Sequence, residues 1–254
     1  MNHQTALSGT GRWHHDSSGA APSGHAALMS GGADGAEARA RKSRGSSGAA
    51  IYRMVRDALR ARRRAGGLLV DVGCGSGNLW RYVDADFERY VGVDVVSYEG
   101  FPACGEFQRI NLDTGRVPLP DGGADVVAAV ETIEHLENPR SFARELARLA
   151  KPGGWVVVTT PNQLSLLSKL TLVVKNQFNA FQAGCYPAHL TALLEVDLRR
   201  IGAECGLTDI DTAYSRHGRL PLTPWHYPGL LASVFPRAVS DNLLLIGRKT
   251  RGPA

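Results

Sequence analysis

Residues 68–77, Leu-Leu-Val-Asp-Val-Gly-Cys-Gly-Ser-Gly, constrain the fold of this chain more than any other segment. Leu68 to Val72 is a β-branched-rich run broken only by Asp71, as expected of a strand covered on both faces. Gly73, Gly75 and Gly77 follow at alternate positions, then a helix beginning near Asn78. Glycines there let backbone N–H groups approach a ligand closely, and a helix N-terminus favours negative charge. A dinucleotide turn of the G-x-G-x-x-G kind needs a glycine where this chain has Asn78, so a nicotinamide-dependent oxidoreductase is disfavoured.

The same alternation of short apolar runs and helical patterns continues downstream. Tyr90–Val95, Phe107–Leu112, Ala124–Val130 and Trp155–Thr160 read as further strands, and Thr208–Tyr214 and Asn242–Arg248 as the last two. Between them, Phe142, Leu146 and Leu149 fall on one helical face, as do Leu198, Ile201 and Cys205. Strands separated by helices give a parallel sheet covered on both sides, a doubly wound α/β fold.

Residues 1–47 are rich in Gly, Ser and Ala without apolar periodicity, and are expected to be a disordered basic tail in which His14 and His15 are solvated. Residues 48–254 are expected to form the folded domain. It opens on an amphipathic helix, with Ile51, Met54, Val55 and Leu59 on one side and Arg53, Arg56, Arg60 and Arg62–Arg64 on the other. That basic face is either solvated or a surface for phosphate or acidic membrane, the solvated reading being the commoner. Residues 1–66 hold 11 Lys+Arg against 4 Asp+Glu, and residues 67–254 hold 18 against 20. The main body therefore offers nucleic acid no basic surface. Cys74, Cys104, Cys185 and Cys205 are widely spaced, which suggests a reducing, cytoplasmic setting. No transmembrane span or secretory signal is evident.

A second signal closes the second strand. Asp94, in Val91-Gly92-Val93-Asp94, comes 17 residues after Gly77, where a carboxylate can accept from both hydroxyls of a ribose. With Asn111-Leu112-Asp113, Pro118-Leu119-Pro120-Asp121, Ala124-Asp125-Val126-Val127, Glu131-Thr132-Ile133-Glu134-His135-Leu136 and Lys151-Pro152-Gly153-Gly154, the chain resembles the class I S-adenosylmethionine-dependent methyltransferases over about residues 50–215. The resemblance implies a Rossmann-like, mainly parallel seven-stranded sheet with an antiparallel last strand. It also implies S-adenosylmethionine as cofactor. Asp71, Gly73, Cys74, Gly75 and Gly77 would hold its methionine part and Asp94 its ribose. Val95, Leu112 and Asp113 would lie beside the adenine, the usual acid there being Asn111 in this chain. Val130 and Glu131 would line the sulfonium side.

Glu131, Glu134 and His135 share a face if a helix starts at residue 131, and His189 can join them. Either histidine is a candidate base for a hydroxyl acceptor. Carboxylates with imidazoles suit Mg²⁺ or Mn²⁺, and the E-x-x-E-H pattern is similar to that of ubiquinone-pathway and small-RNA 2′-O-methyltransferases. Against a metal, such a histidine often bonds only to nearby backbone. Two insertions, near 162–189 and 216–238, carry many Leu, Val, Pro and aromatic residues. They read as a lid over an acceptor pocket, as a peripheral membrane patch or as plain core packing. The expected acceptor is a small molecule, a glycan or a lipid-linked compound methylated on oxygen. The alternatives are an RNA methyltransferase and a catalytically silent binding subunit.

Overall fold

The computed structural model describes residues 33–221 and 223–251. Seven strands form one sheet: β1 (Leu68–Val72), β2 (Arg89–Asp94), β3 (Glu106–Arg109), β4 (Ala124–Val130), β5 (Ala150–Pro161), β6 (Leu207–Tyr214) and β7 (Asn242–Lys249). Their order is β3-β2-β1-β4-β5-β7-β6. β1 to β5 pair in parallel, and β7 runs antiparallel to both β5 and β6. The chain reverses its winding between β1 and β4, so a crevice opens beyond their C-terminal ends.

Alternation along the strands sends neighbouring side chains to opposite layers. Val126, Ala128 and Val130 of β4 pack with helix α2 (Ala49–Arg60), through Ile51, Met54, Val55 and Leu59, and with the short α3 (Trp80–Val83). Val127 and Ala129 face the other way, onto α4 (Pro139–Leu149) and α6 (Glu195–Glu204) through Phe142, Leu146, Leu198 and Ile201. Asn138 caps α4 by accepting from the Ser141 N–H, with Pro139 in the first turn. The two insertions contain α5 (Leu166–Lys175) and α7 (Gly229–Val234).

The expected tail is corrected in part. Residues 1–32, with His14 and His15, lie outside the described residues. Residues 33–43, expected to be disordered, instead form helix α1 (Ala33–Ser43). Its alanine-rich composition, with Glu37 and Arg41 paired at i,i+4, favours a helix. Arg39 is buried and forms a 2.7 Å ion pair with Asp113, which fastens α1 to the domain.

The basic face of α2 is largely occupied. Arg60 pairs with Asp86 and Arg62 with Asp211. Arg63 lies over the Phe87 ring and donates to the Asp86 and Gly66 carbonyls. These contacts tie α2 to the sheet and leave little of it for phosphate.

Leu244 is 0% exposed in the layer between the sheet and α2. Leu244→Ala is expected to cost about 2–5 kcal/mol of unfolding free energy, measured by urea denaturation with an unchanged m value.

Candidate active site

The glycine turn is bound to the end of β2. Gly73 and Cys74 donate to the Val93 carbonyl at 2.7 and 3.1 Å, and Gly75 donates to Asp94 Oδ2 at 2.9 Å. Gly73 and Gly75 both have positive φ. A Cβ at Gly73 would collide with Thr132, and one at Gly75 with the Gly45 carbonyl. The turn is thus pressed between β4's end and the link that follows α1. Ser76 N–H also donates to the Gly45 carbonyl, and Tyr98 donates to that of Ala40.

Beneath this roof lies a cavity of about 330 Å³. Of the residues expected around the cofactor, Asp71, Gly73, Cys74, Asp94, Val95, Leu112, Asp113, Val130 and Glu131 line it. Gly75 and Gly77 do not, and instead shape the turn behind it. His135, His189 and Glu134 line the same cavity. Arg39, Ser43, Gly45 and Tyr52 are among the other residues of the wall, and of these four only Tyr52 belongs to the segment expected to fold.

Asp71 is buried and accepts from the Tyr90 hydroxyl through Oδ2 at 2.9 Å. Its Oδ1 has no hydrogen-bond partner among the described residues. Burial pushes this carboxyl up to about 7. A cationic group in the cavity would satisfy Oδ1 and restore the charge. Asp94 is raised by burial as well, with the N–H groups of Gly75 and Val96 opposing the shift. Asn111 accepts from Asp113 N–H, while Asp113 accepts from Arg39 and from Glu137 N–H. Asp113 therefore anchors the roof.

The expected helix at 131 is one short 3₁₀ turn, Ile133–His135. Glu131 has φ +49 and turns away from the other three groups. Its carboxylate accepts from Thr159 Oγ1 and Asn242 Nδ2, both at 2.8 Å. Glu134, His135 and His189 do converge, with one donor atom of each within 4.8 Å of the others. The expected quartet is therefore a trio, because Glu131 is held elsewhere by those two hydrogen bonds.

His135 Nδ1 lies 2.7 Å from the Ala188 carbonyl, and His189 Nδ1 lies 2.6 Å from that of Ala180. A carbonyl accepts only, so both Nδ1 atoms carry the proton and both Nε2 atoms are left without one. Burial lowers both rings, His189 to about 4, and keeps them neutral. Glu134 is fully buried and neither carboxyl oxygen has a partner among the described residues. Burial raises Glu134 to about 8, and Glu131 rises for the same reason and through the charge of Glu134. Burial outweighs the two donors that Glu131 receives, so both carboxyls favour the protonated form near neutral pH.

A second cavity, of about 610 Å³, shares Gly48 and Ile51 with the first. The insertions wall it with Asn162, Ser168, Asn179, His217 and Arg219, and α2 adds Arg53. Its lining mixes the charged Arg53, Arg219 and Asp241 with uncharged polar side chains and small apolar ones.

Comparison with known proteins agrees with this architecture. Residues 48–212 match the family described as "Methyltransferase domain". The chain belongs to that family, within the class I S-adenosylmethionine-dependent methyltransferases. It is 29% identical over 167 residues to the "probable S-adenosylmethionine-dependent methyltransferase" of Mycolicibacterium smegmatis, covering 62% of this chain and 63% of that one. It is 34% identical over 107 residues to the ubiquinone biosynthesis O-methyltransferase of Bordetella bronchiseptica, covering 39% and 44%. The match thus spans less than two thirds of either relative. An S-adenosylmethionine-dependent methyltransferase structure from Archaeoglobus fulgidus superposes with a TM-score of 0.56 at 16% identity, covering 78% of this chain and 94% of that one, and shares the fold.

The buried carboxyls set a pH dependence. Below about pH 4.5 Glu134 is protonated in both the folded and the unfolded chain. Between there and about 8 the unfolded chain ionises and the folded one does not, so stability falls as pH rises. Glu134→Gln is expected to flatten the decline of Tm between pH 5 and pH 8, followed by calorimetry against the wild type.

Proposed function

We propose that this chain transfers a methyl group from S-adenosylmethionine to an oxygen of a small-molecule, glycan or lipid-linked acceptor. The observation that carries the reading is the cavity itself. It is lined by an unpartnered Asp71 oxygen beside the glycine turn and by two imidazoles whose Nε2 atoms carry no proton.

In this reading Asp71 Oδ1 accepts from the ammonium of the methionine part. Asp94, held by the N–H groups of Gly75 and Val96, receives the ribose hydroxyls. Val95 and Leu112 pack beside the adenine, with Asn111 at its edge. S-adenosylmethionine, when bound, supplies a methyl already activated by its sulfonium. What remains for the chain is to align the acceptor and take its proton. The acceptor sits in the second cavity, with its hydroxyl directed toward the first. As the new C–O bond forms, the C–S electron pair stays on sulfur and the hydroxyl proton passes to Nε2 of His189 or His135. The O-methyltransferase names among the relatives support oxygen as the receiving atom.

A divalent cation on Glu134, His135 and His189 is a second reading of the trio. It is favoured by an unpartnered buried carboxyl beside two imidazoles that are each oriented by a carbonyl. Such an ion would replace the Glu134 proton and polarise the acceptor oxygen.

Calorimetric titration with S-adenosylhomocysteine tests the cofactor assignment. Micromolar binding that Asp94→Ala weakens at least about tenfold, with NAD⁺ silent, is the expected result. Folded wild-type protein that binds none would sink the assignment. His189→Ala is expected to lower turnover about 10²-fold or more while leaving S-adenosylhomocysteine affinity unchanged. Mn²⁺ titration followed by electron paramagnetic resonance decides the second reading. Binding lost in Glu134→Gln supports the ion, and a wild type that binds none rejects it.

A further inference from the structure

Helix α5 is amphipathic the wrong way round for a helix facing water. Ser165, its N-cap, and Ser168 and Thr171 are buried, whereas Leu166, Leu170, Leu172, Val173 and Val174 are exposed, Val173 at 84% and Val174 at 71%. The inward hydroxyls are satisfied: Ser165 accepts from Ser168 N–H, Ser168 donates to Gln163, and Thr171 donates to the Leu167 carbonyl. The helix is therefore seated by its polar side, and its apolar side is left without a partner among the described residues.

Helix α7 extends that apolar surface. Leu230 is 81% exposed, and Val234 and Phe235 also face outward. The turn after α7 is tied to the start of α5, since Leu166 N–H donates to the Ala238 carbonyl at 2.7 Å and Asn162 donates to those of Arg237 and Ser240. The two insertions are thus joined at that point. Large exposed apolar side chains on adjoining segments mark a surface that meets something apolar.

Charge says what that partner is. Residues 162–194 and 212–240 contain no Asp or Glu, while carrying Lys169, Lys175, Arg216, Arg219 and Arg237. Arg219 is offset by Asp241 at 3.6 Å and Arg237 by Glu195 at 3.8 Å. Lys169, Lys175 and Arg216 have no carboxylate within 4 Å among the described residues. Exposed Leu, Val and Phe on segments that carry cations and no acid are what the boundary of an anionic bilayer accommodates: the apolar groups enter the acyl region and the ammonium groups stay at phosphate level.

We infer that the face formed by α5 and α7 docks on an anionic lipid surface. The face also borders the site. The Ala180 carbonyl that orients His189 and the half-exposed Tyr186 both lie in the stretch after α5, and the Tyr186 carbonyl accepts from Lys42 in the last turn of the roof helix. Docking would bring the second cavity against the headgroups, where a lipid-linked acceptor presents its polar end. The docking needs no methyl transfer, so it stands or falls apart from the activity proposed above.

Vesicle sedimentation of the full chain tests it, with phosphatidylcholine alone and with phosphatidylcholine containing about a quarter phosphatidylglycerol. The expected result is pelleting with the anionic vesicles only, weakened by salt. Val173→Asp with Leu230→Asp should reduce it at least about tenfold, with Tm unchanged because both side chains are already in solvent. Lys169→Glu with Lys175→Glu should act in the same direction. Asp94→Ala should pellet as the wild type does, which separates docking from cofactor binding. Equal pelleting with neutral vesicles, none with either, or retention by the Asp double variant would overturn the inference. So would a dimer seen by analytical ultracentrifugation that the Asp double variant breaks while the wild type ignores vesicles.

Discussion

The hydrogen bonds from Gly73 and Cys74 to the Val93 carbonyl join the end of β1 to the end of β2, and the rest of the site is built outward from that seam. They place the glycine turn where Gly75 N–H reaches Asp94, and they bring Asp71 close enough to Tyr90 for its second oxygen to be satisfied. β4 supports the turn from the other side, because Thr132 lies where a side chain at Gly73 would stand. The parallel pairing of β1 with both β2 and β4 makes these approaches possible.

Burial without partners is the second organising feature. A buried carboxyl that lacks donors either takes a proton or waits for a cation. Asp71 and Glu134 are both in this condition, and both line one cavity. Glu131, only three residues from Glu134, is not, because Thr159 and Asn242 reach it. Two acids of the same short segment thus have different chemistry through their neighbours alone.

Much of this could be read from the order of residues. Strands buried on both faces announce themselves as apolar runs, which mark β1, β4 and β7 within a residue or so, and the glycine turn and the end of the second run point to Asp71 and Asp94, which line one cavity. Three features escaped. Helix α1 was hidden by its small residues, although the Glu37–Arg41 spacing and the alanine content were signals of it. The outward turn of Glu131 depends on Asn242, 111 residues away, which local spacing cannot reveal. The inverted face of α5 reads as ordinary core from its leucines, and only the burial of Ser168 and Thr171 shows which side is inward.

The roof formed by α1 bears on where this domain begins. The stretch that matches the methyltransferase domain starts at residue 48, yet Arg39, Ser43 and Gly45 are part of the cavity wall and Gly45 sits over the glycine turn. A shortened protein that began at residue 48, where the matched stretch begins, would keep every strand. It would also leave Asp113 without its buried guanidinium and open the crevice to water on the side of Asp71 and Asp94. The unit that walls the cavity is longer than the matched stretch, and an ion pair across 74 positions of sequence fastens its added helix.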